Sequence, residues 1–81
     1  MTREEVLESA AKIIKDCFPE LANETFTEDT KLSDYENIDS MGYVLIITKL
    51  EGIFDSRIPE EKWNSLTSMK ELIDAVIEYK Q

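Results

Sequence analysis

Three stretches of the chain carry apolar residues every three or four positions, the spacing that lines one face of a helix. The first follows a capping box, in which Thr2 is the cap and Glu5 lies three residues further on. Its apolar positions are Val6, Leu7, Ala10, Ile13, Ile14, Cys17 and Phe18. We therefore expect a first helix that ends at Pro19.

The second stretch predicts a helix over residues 40–54, which follows Asp39 as a potential cap. Helical spacing places one group of side chains in a single inner arc: Tyr43, Ile46, Ile47, Leu50, Ile53 and Phe54. Met41 and Leu45 fall on the opposite side. We expect these two apolar side chains to face solvent or a partner.

The third stretch predicts a final helix that begins after Thr67 or Ser68, and Ser68 with Glu71 forms a second possible capping box. Its apolar positions are Met69, Leu72, Ile73, Val76 and Ile77. Before it, Pro59 opens a short helix anchored by Trp63 and Leu66.

A polar connection over residues 19–38 joins the first two helices. A loop of this length in a small domain is pinned or functional, and we expect Phe26, Leu32 and Ile38 to reach the core. No stretch alternates as a strand does. The pattern predicts an all-α fold, a small bundle of three principal helices and one short helix, within a single domain over residues 1–81.

The net charge of −9 changes the list of plausible partners. It argues against nucleic acids and anionic membrane surfaces and favours basic protein partners. The acid is concentrated early: residues 1–39 hold eleven acidic and four basic side chains, and residues 40–81 hold seven and five. No signal peptide or membrane-spanning stretch is apparent, so we expect a cytoplasmic protein that does not insert into membranes. We also expect it to be a monomer.

The chain has no histidine, which excludes a Ser-His-Asp or Cys-His site within it and agrees with our expectation of no catalytic residues and no enzyme. An EF-hand loop starting at Asp34 fails because Asp39 and Leu45 occupy its sixth and twelfth places, so we expect no metal. Cys17, on the apolar stripe, is expected to be a buried, inert thiol. Trp63 either anchors the core or borders a cargo cavity, and a small bundle favours the anchor.

Ser40 is the candidate functional residue. With Asp39 as cap, its hydroxyl lies at the first helical position, close to unpaired backbone N–H groups and the positive end of the helix dipole. A phosphate is favoured at such a place. The dipeptide alone is weak evidence, because capping also explains it.

The segments around Ser40 strengthen the case. They are Ile38-Asp39-Ser40-Met41, Leu50-Glu51-Gly52-Ile53-Phe54-Asp55 and Ile58-Pro59-Glu60-Glu61, followed by a capped final helix. Their order resembles that of the acyl and peptidyl carrier proteins over nearly the whole chain, and most strongly over residues 38–59. The resemblance implies the acyl-carrier bundle, with its long loop between the first two helices.

The resemblance also implies a chemistry. A phosphopantetheinyl transferase would move 4'-phosphopantetheine from coenzyme A to Ser40, with Asp39 supporting recognition by the transferase. The arm would then present acyl or aminoacyl thioesters to a loading ligase and to downstream synthases, as in fatty acid or secondary metabolite biosynthesis. The partner surface would lie on the second helix: Met41, Leu45, Thr48, Glu51 and Asp55.

Two features refine the resemblance. The outer face of the second helix carries Leu45, Thr48 and Lys49, where carriers of fatty acid synthesis are rich in carboxylates. The Asp-Ser-Met-Gly tetrapeptide looks more like that of D-alanyl carrier proteins. The competing hypothesis is an unmodified helical adaptor that binds proteins through the face of Met41 and Leu45.

Overall fold

The computed structural model describes residues 1–81 and contains three α-helices: α1 (Arg3–Cys17), α2 (Ser40–Phe54) and α3 (Met69–Glu78). Short 3-10 helices lie at Pro19–Leu21, Leu32–Asp34 and Glu60–Ser65. The predicted helical bundle is therefore confirmed, although its short fourth helix is a 3-10 helix rather than an α-helix. None of the helices combines the length and apolarity needed to cross a membrane.

Each α-helix begins at a side-chain cap that satisfies a backbone N–H of its first turn. Thr2 accepts a hydrogen bond from the Glu5 N–H at 3.1 Å, and Ser68 accepts one from the Glu71 N–H at 3.3 Å. Both caps are as predicted, and Asp39 caps α2. A side-chain cap therefore marks the start of each α-helix.

The core is one cluster of buried apolar side chains from all three helices and the loops. Among its fully buried members are Val6, Ile14, Leu32, Ile46, Ile47, Leu50, Met69, Leu72 and Ile73. Two predicted core residues lie outside it. Ile53 is 57% exposed because an open cleft separates the last turn of α2 from α1, and Ile77 is 37% exposed at the edge of the apolar face of α3.

The long connection between α1 and α2 is pinned, as predicted. Phe26, Leu32 and Ile38 are all buried in the core. Backbone hydrogen bonds then tie the loop to the segment that starts α3: the Leu32 N–H donates to the Thr67 carbonyl at 2.8 Å, and a similar bond joins residues 69 and 30. The loop therefore holds the start of α2 at a fixed position relative to the start of α3.

The other end of α2 is tied to α3 as well. Asp55 adopts the left-handed conformation (φ 54°) and turns the chain. Ser56, 2% exposed, then donates its hydroxyl to the Val76 carbonyl at 2.7 Å. With both ends held, α2 is a rigid support for the residues on its outer surface.

Candidate functional site

The start of α2 is organised by Asp39. Its Oδ1 accepts a hydrogen bond from the Gly42 N–H at 2.8 Å, and its carbonyl accepts one from the Tyr43 N–H at 3.0 Å. Ser40 is consequently the first residue of the helix, and it is exposed. The N–H groups of Ser40 and Met41 have no partner within the helix, because they precede its first intrahelical bond.

The Ser40 hydroxyl has no basic group to activate it. The Asp39 carboxylate is engaged by the Gly42 N–H, and the chain contains no histidine. Such a hydroxyl is a poor nucleophile unaided, but an external enzyme can reach it. The Ser40 hydroxyl therefore has no activating partner among the residues of this chain described at the start of α2. No group of three or more metal-ligating side chains converges in the structure.

Gly42 allows α1 and α2 to approach closely at this point. A Cβ added to Gly42 would lie 2.6 Å from Cζ of Phe18, the residue directly after α1. The aromatic ring thus covers the backbone one turn from Ser40. Sequence reasoning missed this contact, because only the packing of α1 on α2 reveals it.

An open cleft of about 400 Å³ lies directly beside Ser40. It is lined by Ser33, Ile38, Asp39, Ser40, Tyr43, Trp63, Asn64 and Thr67. The indole N–H of Trp63 donates to the Ile58 carbonyl at 2.9 Å, which fixes the ring as one wall. Trp63 therefore packs against the core and also borders the cleft next to the candidate serine.

Tyr43 forms another part of this cleft, and its hydroxyl oxygen is buried without a hydrogen-bond partner. Burial, and then the nearby Glu71 carboxylate, raises the pKa of Tyr43 above its ordinary value. The phenol is thus a neutral donor at physiological pH. Sequence reasoning had assigned Tyr43 only to the apolar arc of α2.

The predicted partner residues lie along the outer side of α2. Met41 is 80% exposed and Leu45 43%, as the helical spacing predicted. With Val44 they adjoin a shallow apolar recess that includes Cys17 and Phe18. Cys17 is half-buried rather than buried, because its side of α1 faces the open cleft toward α2.

The three polar members of the predicted partner surface also take part in the local structure of α2 and the turn after it. The Thr48 hydroxyl donates back to the Val44 carbonyl at 2.8 Å. Glu51 accepts the Ile58 N–H at 2.7 Å, and Asp55 occupies the left-handed turn that ends α2. A substitution that removes the Ile58 bond or the left-handed turn would disturb the fold as well as any partner contact.

Comparison with known proteins adds one relative. No family model matches the chain, and no solved structure matches it. A protein named acyl carrier protein from Rubrobacter xylanophilus is 33% identical over 79 residues, which cover 98% of this chain and 96% of the relative. Both chains are thus matched almost end to end, and this chain belongs to the acyl carrier protein family.

Proposed function

We propose that residues 1–81 form a single carrier domain that is modified at Ser40 with 4'-phosphopantetheine. The observation that carries the proposal is the exposed Ser40 hydroxyl at the first position of a capped helix in a chain of this family. In the transfer, a bond forms between Ser40 Oγ and the phosphorus of the arm. The pyrophosphate bond of coenzyme A breaks, its adenosine bisphosphate half leaves, and the serine proton passes to the transferase.

The residues around Ser40 fit a phosphate ester. The unpaired N–H groups of Ser40 and Met41 and the positive end of the helix dipole favour an anion there. No lysine or arginine lines the adjoining cleft, so no ion pair would hold the phosphate against the surface. Asp39 keeps the helix start in place and, we propose, supports recognition by the phosphopantetheinyl transferase.

The chain itself would have no catalytic activity. The thiol at the end of the arm would carry an acyl or aminoacyl group as a thioester, loaded by a ligase and used by downstream synthases in the cytoplasm. Those partners would meet the outer side of α2, at Met41, Leu45, Thr48, Glu51 and Asp55. The exposure of the two apolar members supports this surface.

Intact-mass measurement after incubation with coenzyme A, magnesium and a broad-specificity phosphopantetheinyl transferase tests the proposal. We expect the wild-type chain to gain one arm and Ser40→Ala to gain none, with unchanged circular dichroism. Ser33→Ala is the matched control, because Ser33 lines the same cleft and is also exposed. A wild-type chain that stays unmodified, or a Ser40→Ala variant that gains the arm, contradicts the proposal.

The same experiment addresses the alternative function. An unmodified adaptor that binds proteins through the face of Met41 and Leu45 would gain no mass. Exposed apolar side chains agree with either function, whereas membership of the carrier family favours the carrier.

A further inference from the structure

Met41 differs from the other two methionines of the chain in its exposure. It is 80% exposed, which makes it the most exposed large apolar residue, whereas Met1 is 45% exposed and Met69 is fully buried in the core. Hydroperoxides convert a methionine thioether to the sulfoxide where solvent can reach the sulfur. Met41 is therefore the methionine at which oxidation should occur first.

The surroundings of Met41 give its oxidation a consequence. Met41 directly follows Ser40, and it lines the shallow apolar recess together with Phe18 and Val44. A sulfoxide oxygen accepts hydrogen bonds, so oxidation would place a polar group within this apolar surface. The only hydroxyl that lines the recess, that of Thr48, already donates to the Val44 carbonyl. The side chains of the recess therefore offer the new oxygen no strong donor.

We propose that Met41 is a reversible redox modification site, at which oxidation by a hydroperoxide weakens recognition of the surface beside Ser40. The inference rests on the proposed function, under which partner enzymes meet the outer side of α2. Methionine is suited to both states, because its thioether is an adaptable apolar contact when reduced and becomes polar when oxidised.

The oxidation balances with the hydroperoxide as the only co-reactant. The sulfur lone pair attacks one oxygen of the peroxide, the S–O bond forms and the O–O bond breaks. The proton on the transferred oxygen passes to the departing hydroxide, which leaves as water. The sulfur loses two electrons and the peroxide gains them. A methionine sulfoxide reductase reverses the change with two electrons and two protons from a dithiol, and the oxygen leaves as water.

The fold should tolerate the oxidised side chain. The start of α2 is held by the Asp39 cap and by the close approach of Phe18 to Gly42, neither of which involves the Met41 side chain. In the free protein the sulfoxide oxygen would stay hydrated. When a partner covers the surface, the same oxygen would lose its water without gaining a donor from this chain, which is unfavourable. Oxidation should therefore weaken complexes and leave the stability of the free chain unchanged.

Tryptic peptides separate the methionines and so locate the oxidation. Cleavage after Lys31 and Lys49 releases residues 32–49, in which Met41 is the only methionine, whereas Met69 falls in residues 63–70. After brief treatment of the folded chain with hydrogen peroxide, we expect the mass of one added oxygen on the first peptide and none on the second. Equal rates of oxidation in the two peptides would overturn the inference.

Transfer of the arm from coenzyme A by the broad-specificity transferase measures the consequence. Peroxide treatment is followed by dithiothreitol, which reverses disulfide formation at Cys17 but leaves the sulfoxide. We expect kcat/KM for transfer to Ser40 to fall about fivefold or more in the chain oxidised at Met41, and methionine sulfoxide reductase to restore it.

Met41→Leu is the matched control, because leucine is apolar and of similar volume but has no sulfur. Whatever its rate before treatment, peroxide should not change the rate at which this variant accepts the arm. Met41→Gln carries an uncharged polar group in place of the thioether and should accept the arm more slowly than Met41→Leu.

An oxidised wild-type chain that accepts the arm as fast as the untreated chain would overturn the inference and leave the proposed function intact. An equal loss of rate in peroxide-treated Met41→Leu would also overturn it, because the damage would then lie at another residue. A lower melting temperature of the oxidised chain would count against it as well, since the sulfoxide would then disturb the fold. Failure of the untreated chain to gain the arm would instead contradict the proposed function.

Discussion

The contact between Phe18 and Gly42 offers a sharp test of how α1 supports the start of α2. In Gly42→Ala the new Cβ would lie 2.6 Å from Cζ of Phe18, so the aromatic ring must move. Overpacking of this kind costs about 1–3 kcal/mol. The gain in helix propensity from glycine to alanine, about 0.5–1 kcal/mol, offsets part of it. We expect a net loss of up to about 2 kcal/mol, since the ring tip is half-buried and yields in part.

Gly52→Ala is the matched control in the same helix. Nothing lies within 4 Å of a Cβ added at Gly52, so only the propensity gain of about 0.5–1 kcal/mol remains. The two variants should differ by about 1–3 kcal/mol in their free energies of unfolding, and each kcal/mol shifts the melting temperature by about 4–8 °C. Urea unfolding followed by circular dichroism measures the difference.

The double variants locate the cause of that difference. In a Phe18→Leu background the ring is absent, and Gly42→Ala and Gly52→Ala should then change stability by similar amounts. Equal stabilisation by the two alanines in the wild-type background would refute the reasoning, because it would mean that Phe18 does not cover Gly42.

Two further predictions concern the residues beside Ser40. Asp39→Ala should lower stability by about 1 kcal/mol through the lost cap, whereas Asp39→Asn, an equally good cap, should not. Slower transfer of the arm to both variants, at a temperature where both remain folded, would show that the transferase recognises the negative charge of Asp39. Normal transfer to Asp39→Asn would exclude recognition of that charge. Leu45→Glu should melt at the same temperature as the wild type, because Leu45 is 43% exposed. The partner ligase should nevertheless load this variant less efficiently than the wild type. Glu51→Gln preserves the Ile58 bond and Asp55→Asn preserves the left-handed turn, so the ligase should load both nearly normally. Normal loading of Leu45→Glu with poor loading of these two variants would mean that partners recognise the carboxylates.

The sequence predicted those features that depend on neighbouring residues. The starts of the three α-helices, after Thr2, after Asp39 and after Thr67 or Ser68, follow from side chains within a few positions of each start. The outward direction of Met41 and Leu45 follows from helical geometry alone. The placement of Ser40 at the first turn of α2 could therefore be predicted without knowledge of the packing.

Features that depend on contacts between distant segments escaped prediction. Ile53 shares the apolar arc of α2, yet α1 does not extend over it. Glu51 looked like an outer carboxylate, but the turn after α2 brings the Ile58 N–H to it. The hydroxyl of Tyr43 is buried without a hydrogen-bond partner, which its place in the apolar arc of α2 did not indicate. Periodicity specifies a face of a helix, but it does not say what covers that face.

The position of Ser40 combines exposure with rigid support. Its helix is capped by Asp39, approached by Phe18 at Gly42 and preceded by the buried Ile38. A group attached to Ser40 would be free to move, whereas its point of attachment at the start of α2 would stay fixed. Partner enzymes would therefore meet the tethered substrate from a constant orientation of the protein.

The distribution of charge complements this arrangement under the proposed function. Most of the excess acid precedes residue 40, whereas the side chains that flank Ser40 on α2 are apolar, Met41, Val44 and Leu45. Exposed charges act over roughly 8–10 Å in physiological salt and chiefly raise the rate of encounter with basic partners. Apolar contacts act only when the surfaces meet, so they govern how long a complex lasts. The acidic half of the chain would therefore attract partners, and the apolar start of α2 would decide which of them stay near Ser40.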